Sequence, residues 1–166
     1  MYFRFHDSPT GSLLLAGDDA GLQMLYMDTE RRGYPNADWQ PAERQFDEAC
    51  RQLDRYFEGR LKRFDLSLAP RGTPFQQRVW QALLEIPYGH TTSYSELADR
   101  IGNPKSVRAV GTANGANPIS IIIPCHRVIG RDGSLTGYAG GLARKALLLK
   151  LEGVKLQPEQ DQLLLI

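Results

Sequence analysis

The chain has 166 residues, of which 42% are hydrophobic and 23% are charged, and its formal net charge at pH 7 is +1. These values are ordinary for a globular protein and exclude a disordered chain or a fibrous repeat. No apolar run approaches the roughly 20 residues that cross a bilayer, and the N-terminus lacks the layout of a signal peptide. We therefore expect a cytoplasmic protein without a membrane partner.

The charge is divided unevenly between two parts of the chain, which we separate near residue 70, where the sequence LAPRGTP changes the character of the chain. Residues 1–70 carry 9 Lys or Arg and 12 Asp or Glu, whereas residues 71–166 carry 11 and 7. The sequence predicts an N-terminal sheet-and-helix domain over 1–70 and a second domain over 71–166. The positive second domain is the better suited of the two to an anionic partner.

The N-terminal part begins with three apolar runs, YFRFH, SLLLAG and LQMLYM, which are separated by the turn sequences DSPTG and GDDAG. This pattern predicts three short strands joined by turns. After the loop RRGYPNADWQP, we predict Pro41 at the first position of a helix that ends at Gly59. Cys50 lies on the apolar stripe of this helix, so we expect it to be a core residue.

Helix start signals recur in the second part. Thr73 and Gln76 have the spacing of a capping box around Pro74, which predicts a helix over PFQQRVWQALLEI. Ser93 and Glu96 repeat this spacing at the start of SYSELADRIG, and a further helix is predicted through SVRAVGTANG after the turn NPK. Two short helices joined by a tight, glycine-containing turn have the layout of a helix-turn-helix.

The last third of the chain begins with NPISIII, which predicts a buried strand, and includes GRDGSLTGYAGG, which predicts a turn-rich loop. The sequence LARKALLLKLEG then predicts an amphipathic helix that ends at Gly153, followed by an extended tail. Between the strand and the loop lies IPCHRVIG, where one of the two cysteines stands beside one of the three histidines.

The pair Cys125–His126 indicates nucleophilic chemistry. A thiol needs a base to supply thiolate at neutral pH, and a histidine oriented by a carboxylate is a common base. Adjacent residues of an extended strand point to opposite sides, so the pair requires a bent backbone, which Pro124 favours, or a bridging water. Glu152 and Asp132 are the candidate carboxylates. The alternatives are an inert thiol beside a core histidine and a site of the cysteine-protease type.

The motif IPCHRVIG, preceded by RAVGTANGANPI and followed by TGYAGGLARKALLLKLEG, resembles the active-site region of the O6-alkylguanine-DNA alkyltransferases. The resemblance covers about residues 72–153, whereas residues 1–70 resemble this family in layout alone. It implies an α/β fold with a small N-terminal antiparallel sheet and a helix (ribonuclease H-like). It also implies a mainly helical C-terminal domain that contains the helix-turn-helix.

The resemblance implies the catalytic residues. Cys125 would accept the alkyl group, His126 would be its water-mediated base, and Glu152 would orient the histidine. The hydroxyl of Tyr94 would meet N3 of the guanine as the leaving base gains electrons. Asn117 would tie the second helix of the helix-turn-helix to the active-site loop.

The resemblance also implies the residues that contact DNA and the target base. Arg108 would enter the duplex in place of an extruded nucleotide, and the small residues around it would let the helix approach the minor groove. The further DNA contacts would be Ser93, Ala109, Thr112, Ala113 and Arg127. The base pocket would be formed by Val128, Tyr138, Ala139 and Gly140.

The implied function is direct repair of DNA by single-turnover transfer of an alkyl group from O6-alkylguanine, and from O4-alkylthymine, to the protein's own cysteine. The partner would be double-stranded DNA containing O6-alkylguanine, bound by a monomer that can cluster on DNA. We predict no cofactor, and no metal because the Cys and His spacing matches no zinc site. The alternatives are a DNA-binding protein that senses lesions without transfer, which Cys125 argues against, and a cysteine-dependent hydrolase.

Overall fold

The computed structural model describes residues 1–27 and 33–165, so that the first two residues of the predicted loop at 31–41 lie outside the described residues. The N-terminal strands are β1 (Tyr2–Ser8), β2 (Gly11–Asp18), β3 (Gly21–Met27) and β4 (Gln40–Pro41). They form one sheet with the order β3-β2-β1-β4. The first three are antiparallel neighbours, as predicted, whereas β4 pairs in parallel with the start of β1.

The first helix, α1 (Asp47–Phe57), begins six residues later than predicted. The prediction of Pro41 as its first residue is wrong because Pro41 lies in β4, where the flanking amides bond to β1. Gln40 N donates to Met1 O over 2.9 Å, and Ala42 N donates to Phe3 O over 2.7 Å. Proline is tolerated there because an edge strand does not require its missing N–H. Cys50 is 4% exposed on the inner face of α1, as predicted.

The second part of the chain is mainly helical. Its longer helices are α2 (Pro74–Leu83), α3 (Tyr94–Arg100), α4 (Val107–Gly115) and α5 (Leu142–Leu151). The capping box of α2 is confirmed, since Thr73 Oγ1 accepts from Gln76 N and Gln76 Oε1 accepts from Thr73 N. Only half of the second box forms: Ser93 Oγ accepts from Glu96 N, but the Glu96 carboxylate accepts from Thr92 Oγ1 instead.

Helices α3 and α4 form the predicted helix-turn-helix and pack on α2. Trp80 of α2 donates its indole N–H to Ala113 O of α4 over 2.9 Å. A short parallel pair of strands, β5 (Thr92–Ser93) and β6 (Val128–Ile129), joins the start of α3 to the segment that follows Cys125. The helix-turn-helix and the cysteine segment are therefore parts of one packed unit.

The predicted strand NPISIII is buried but is not a strand. The side chain of Asn117 folds this segment back on itself, because its Nδ2 donates to Ile123 O and its Oδ1 accepts from Ile119 N. Ile121 has a φ of +72°, in the left-handed region that a β-branched residue rarely adopts. A single bridge between Leu25 and Ile119 attaches the segment to β3.

The tail after Gly153 is helical, so the prediction of an extended tail is wrong. It contains α6 (Pro158–Asp161) and a 3₁₀ turn over Gln162–Leu165. Proline fits the first position of α6, and Gln160 Oε1 accepts from Gln157 N. No helix of the described residues is long and apolar enough to cross a membrane.

Candidate active site

The backbone around the cysteine is bent, as the sequence analysis required. Cys125–Arg127 form a single 3₁₀ turn after Pro124, in which Arg127 N donates to Pro124 O over 3.0 Å. Cys125 is a thiol that is 6% exposed, and His126 is fully buried. The turn therefore leaves a small part of the cysteine accessible while it directs the histidine into the protein.

Glu152, at the end of α5, is the carboxylate that orients this turn. Its Oε2 lies 2.7 Å from His126 Nε2 and accepts from Tyr56 Oη over 2.5 Å. Arg127 donates to both carboxylate oxygens, through Nε over 2.8 Å and through Nη2 over 3.1 Å. The other candidate, Asp132, lies in an exposed turn and accepts from Ser134 N. The structure thus selects Glu152 from the two carboxylates.

The surroundings of Glu152 and His126 set their protonation states and leave one ring nitrogen of His126 as a proton acceptor. Burial alone would raise the pKa of Glu152, but hydrogen bonds from His126 and Arg127 lower it to about 2, so it is a carboxylate at neutral pH. Burial lowers the pKa of His126 below its ordinary value, so the imidazole is neutral. Because a carboxylate only accepts, His126 donates its Nε2–H to Glu152. Its Nδ1 is then a buried acceptor with no hydrogen-bond partner among the described residues.

Two predicted residues connect the site to neighbouring segments. Tyr94, at the start of α3, has its hydroxyl 2.5 Å from Thr136 Oγ1 of the turn-rich loop. Asn117 follows α4 and bonds to the backbone that leads to Cys125, through Ile123 O over 2.8 Å. Tyr94 thus contacts the turn-rich loop, and Asn117 contacts the segment that leads to Cys125.

Helix α4 presents a surface of small residues with one long cation. Arg108, Ala109 and Thr112 are exposed on it. Ala113 is 2% exposed, and Ser93 is 6% exposed and caps α3. Arg108, Ala109 and Thr112 are therefore the exposed residues among these five predicted DNA contacts.

The predicted DNA contact of the Arg127 side chain is wrong. Its guanidinium is buried on Glu152, and its Nη1 donates to Ile86 O over 2.7 Å. A buried carboxylate requires such a partner, because removing it would leave an unpaired charge inside the protein. Arg127 therefore holds the carboxylate that accepts from His126 Nε2, and through it contributes to the positioning of the histidine.

The four residues predicted to form the base pocket have different environments. Val128 is fully buried, whereas Tyr138 is half-buried and Ala139 is exposed. A Cβ on Gly140 would lie 2.5 Å from Met27 Sδ and 3.0 Å from the ring of Tyr138. A side chain at residue 140 would therefore require Met27 or Tyr138 to move, because the loop lies against these two side chains.

Comparisons with known proteins match both parts of the chain. Residues 74–154 match a family model described as 6-O-methylguanine DNA methyltransferase, DNA binding domain, and residues 1–70 match its ribonuclease-like domain. The methylated-DNA--protein-cysteine methyltransferase of Methanosarcina acetivorans is 56% identical over 154 residues, which are 92% of this chain and 99% of that protein. The chain belongs to the 6-O-methylguanine DNA methyltransferase family.

Solved structures of this family have the same fold. The crystal structure of Mycobacterium tuberculosis OGT in complex with DNA has a TM-score of 0.87 and 51% identity, and the match covers 99% of each chain. The O6-methylguanine-DNA methyltransferase from Pyrococcus kodakaraensis strain KOD1 shares the fold with a TM-score of 0.66 at 24% identity, over 92% of this chain and 99% of that one. The predicted α/β class, with an N-terminal antiparallel sheet and a helical C-terminal domain, is confirmed.

The site of this family member contains a buried lysine that the sequence analysis missed. Lys145 of α5 is fully buried, and its Nζ donates to Val128 O over 2.7 Å and to Thr136 O over 3.0 Å. Burial lowers the pKa of Lys145 to about 8, and the proximity of Cys125 partly offsets this effect. An ammonium group at this place favours the thiolate form of the cysteine. The sequence signal for a buried lysine was its position on the apolar face of the helix LARKALLLKL.

Tyr56 is the second residue that the sequence analysis missed, and it connects α1 to the carboxylate of the site. It is fully buried against Phe57, Phe64 and Tyr88, and its hydroxyl is a donor to Glu152. Its signal in the sequence was weak, because a tyrosine on the inner face of a helix is more often a core residue. Through this bond the N-terminal part of the chain acts directly on the site.

We expect Tyr56→Phe to lower the free energy of unfolding by about 1.5–3 kcal/mol, because a hydrogen bond to a buried charge is lost while the ring is kept. Urea denaturation at pH 7 measures the change. Tyr88→Phe is the matched control, since Tyr88 donates to the neutral Leu151 O over 3.3 Å. An equal or larger loss in the control would contradict a special contribution of the Tyr56–Glu152 bond.

Proposed function

We propose that this protein repairs DNA by transferring the alkyl group of O6-alkylguanine, and of O4-alkylthymine, to Cys125. The observation that carries the proposal is the geometry of His126, which is buried, neutral and oriented by Glu152, with an acceptor Nδ1 that bonds to none of the described residues, one residue from a partly accessible thiol. The membership of the chain in a family of methyltransferases supports the same chemistry.

The transfer is an in-line displacement at the alkyl carbon. His126 accepts the thiol proton through a water molecule, and the sulfur of Cys125 attacks the carbon bound to O6. The S–C bond forms as the C–O6 bond breaks, and the electron pair of that bond passes into the guanine. The hydroxyl of Tyr94 donates a hydrogen bond to N3 as the leaving base gains electrons, the departing base takes a proton from water at N1 to become guanine, and the imidazolium of His126 then releases the thiol proton to solvent. Glu152 stabilises the imidazolium, and Lys145 stabilises the thiolate.

The product explains why one molecule performs one repair. A thioether has no leaving group that this site can activate, and the described residues place no second thiol beside Cys125, because Cys50 lies on α1 in the core of the N-terminal part. We propose no cofactor and no metal for the reaction. Among the described residues no group of three or more His, Cys, Asp or Glu side chains could hold a metal ion.

The partner in this proposal is double-stranded DNA, bound by α4 through the minor groove. The exposed side chains at Ala109 and Thr112 are small enough for close approach, and the base must leave the stack before the buried Cys125 can reach it. Arg108 takes the place of the extruded guanine. We propose that the protein acts as a monomer that can cluster along DNA in the cytoplasm, with domains that meet near residue 70.

Counting the repaired lesions tests the function. Duplex DNA with one O6-methylguanine in excess over protein is incubated to completion, and the restored guanine is quantified. We expect a plateau of one repaired lesion for each protein molecule. A protein that only senses lesions would restore none, and a hydrolase would continue beyond one equivalent. Either result would contradict the proposal.

The pH dependence of transfer tests the role of His126. Burial lowers the pKa of His126 below the ordinary histidine pKa of about 6.5. The imidazole is therefore still neutral at pH 6.5, where an ordinary histidine is half protonated. We therefore expect the wild-type rate on the free base O6-methylguanine to hold from pH 7.5 to 6.5 and to fall at lower pH. At pH 7 we expect His126→Asn to be slower by about 100-fold, the usual contribution of a general base.

The difference between the two proteins is expected to shrink as the pH rises toward the ordinary thiol pKa of about 8.5, where Cys125 ionises without a base. His90→Asn is the control, because His90 is exposed and remote from the cysteine turn in sequence. If His126→Asn were slower by the same factor at every pH, with its circular dichroism unchanged, His126 would have a structural role instead.

A further inference from the structure

A large cavity lies between the two parts of the chain and not at the cysteine. Its volume is about 720 Å³, and neither Cys125 nor His126 lines it. One wall is the segment from Lys62 to Leu68, and the opposite wall runs from Leu84 to Tyr88. Cavities of this size at a boundary between two packed units are the places where proteins bind small ligands.

The floor of this interdomain cavity is apolar and aromatic. Phe64 and Tyr88 line it, and both rings flank Tyr56, with centroid separations of 5.4 Å and 6.3 Å. Leu66, Leu68 and Ile122 complete the apolar surface. Phe64 and Tyr88 lie on either side of the buried Tyr56, and together with these aliphatic side chains they form an apolar floor on which a flat ring can lie.

The rim of the interdomain cavity carries cations without counter-charges. Lys62 and Arg63 are exposed, and neither has a carboxylate partner among the described residues. Lys62 Nζ lies 6.0 Å from the centre of the Tyr88 ring, so this charge is held at the edge of the cavity. Arg127 also lines the cavity but is neutralised by Glu152, and Glu85 is the one lining carboxylate. The rim therefore retains a net positive charge.

We propose that the interdomain cavity binds a small aromatic anion, a planar ring that carries a phosphate or a carboxylate. The ring would lie on the floor formed by Phe64, Leu66 and Tyr88, and the anionic group would lie between Lys62 and Arg63. Nucleotides and aromatic carboxylic acids share this chemistry. Pro124 and Arg127 lie between this cavity and the alkyl-acceptor site, but neither Cys125 nor His126 lines it, and the proposal does not depend on the alkyl transfer.

Calorimetric titration with two pairs of probes tests the proposal. The anions are adenosine 5′-monophosphate and naphthalene-2-carboxylate, and their uncharged counterparts are adenosine and naphthalene-2-carboxamide. We expect saturable binding of at least one anion at one site, with a Kd below about 1 mM, and binding of its uncharged counterpart at least fivefold weaker. Binding of the phosphate alone would identify nucleotides as the class, and binding of the carboxylate alone would identify aromatic acids.

Variants of the rim locate the bound anion. The double variant Lys62→Glu, Arg63→Glu is expected to weaken binding at least tenfold, whereas Glu85→Gln is expected to strengthen it about twofold. Lys155→Glu, which changes an exposed lysine outside the cavity, should leave the Kd within twofold. The proposal is overturned if neither anion binds, if the uncharged probes bind equally well, or if Lys155→Glu has the same effect as the double variant.

Discussion

Cys125→Ser is expected to abolish alkyl transfer while lesion-containing DNA is still bound. A hydroxyl is close to a thiol in size, so the turn at Cys125–Arg127 and the hydrogen bonds of Glu152 should remain. A serine hydroxyl, however, ionises far less readily than a thiol, and His126 alone does not make it an adequate nucleophile toward an alkyl carbon. The measurement is the single-turnover rate on duplex DNA, which should fall below detection, together with the Kd for the same DNA, which should change less than about threefold.

The matched control for this prediction is Cys50→Ser. Cys50 is 4% exposed on the inner face of α1, and burial raises its pKa, so it is an unreactive thiol. We expect this variant to retain the wild-type rate, with at most a loss of stability. Transfer by Cys125→Ser, or loss of transfer in Cys50→Ser with an intact fold, would contradict the assignment of the acceptor.

Arg108→Ala is expected to slow repair of duplex DNA by about 30-fold or more while the free base O6-methylguanine reacts at nearly the wild-type rate. Extrusion of a base costs a few kcal/mol, and a guanidinium that fills the vacated stack recovers part of this cost. A loss of about 2 kcal/mol corresponds to about 30-fold in rate. The free base requires no extrusion, and Arg108 is exposed on α4, outside the hydrogen bonds of Glu152. Single-turnover rates on the two substrates measure the difference.

Arg108→Lys distinguishes a guanidinium that fills the place of the extruded base from a cation that only pairs with phosphate. An ammonium pairs with phosphate but cannot imitate a flat base, so we expect it to recover only a small part of the duplex rate. Arg71→Ala changes another exposed arginine and should have no effect on either substrate. Full recovery by lysine, or an equal loss on the free base and the duplex, would exclude the role of Arg108 in base extrusion.

Local signals in the sequence predicted the elements that depend on neighbouring residues. The capping box of Thr73 and Gln76 formed because all of its partners lie within one helical turn. The start of the first helix was predicted wrongly at Pro41, since a proline that fits a helix start also fits an edge strand. The strand predicted at NPISIII failed because the side chain of Asn117 competes for the backbone groups that a strand would use.

The acceptor site was predictable only in part, because the groups that pair with its buried carboxylate are far from it in sequence. The sequence indicated a nucleophile and its base at Cys125 and His126, because a thiol requires a base at neutral pH. The same requirement for a carboxylate beside the histidine reduced the candidates to Glu152 and Asp132. Tyr56 bonds to Glu152 from 96 residues away, and no local pattern indicates this contact. The resemblance implied a DNA contact for Arg127, whereas its guanidinium is buried on Glu152, 25 residues away in sequence.

Mass spectrometry of the reacted protein tests the central claim most directly. The protein is incubated with duplex DNA containing O6-methylguanine, digested, and sequenced by fragmentation of its peptides. We expect one methyl group for each chain, located on the sulfur of Cys125 and absent from Cys50. Complete repair of the DNA with an unmodified Cys125, or a methyl group on any other residue, would contradict direct transfer to this cysteine.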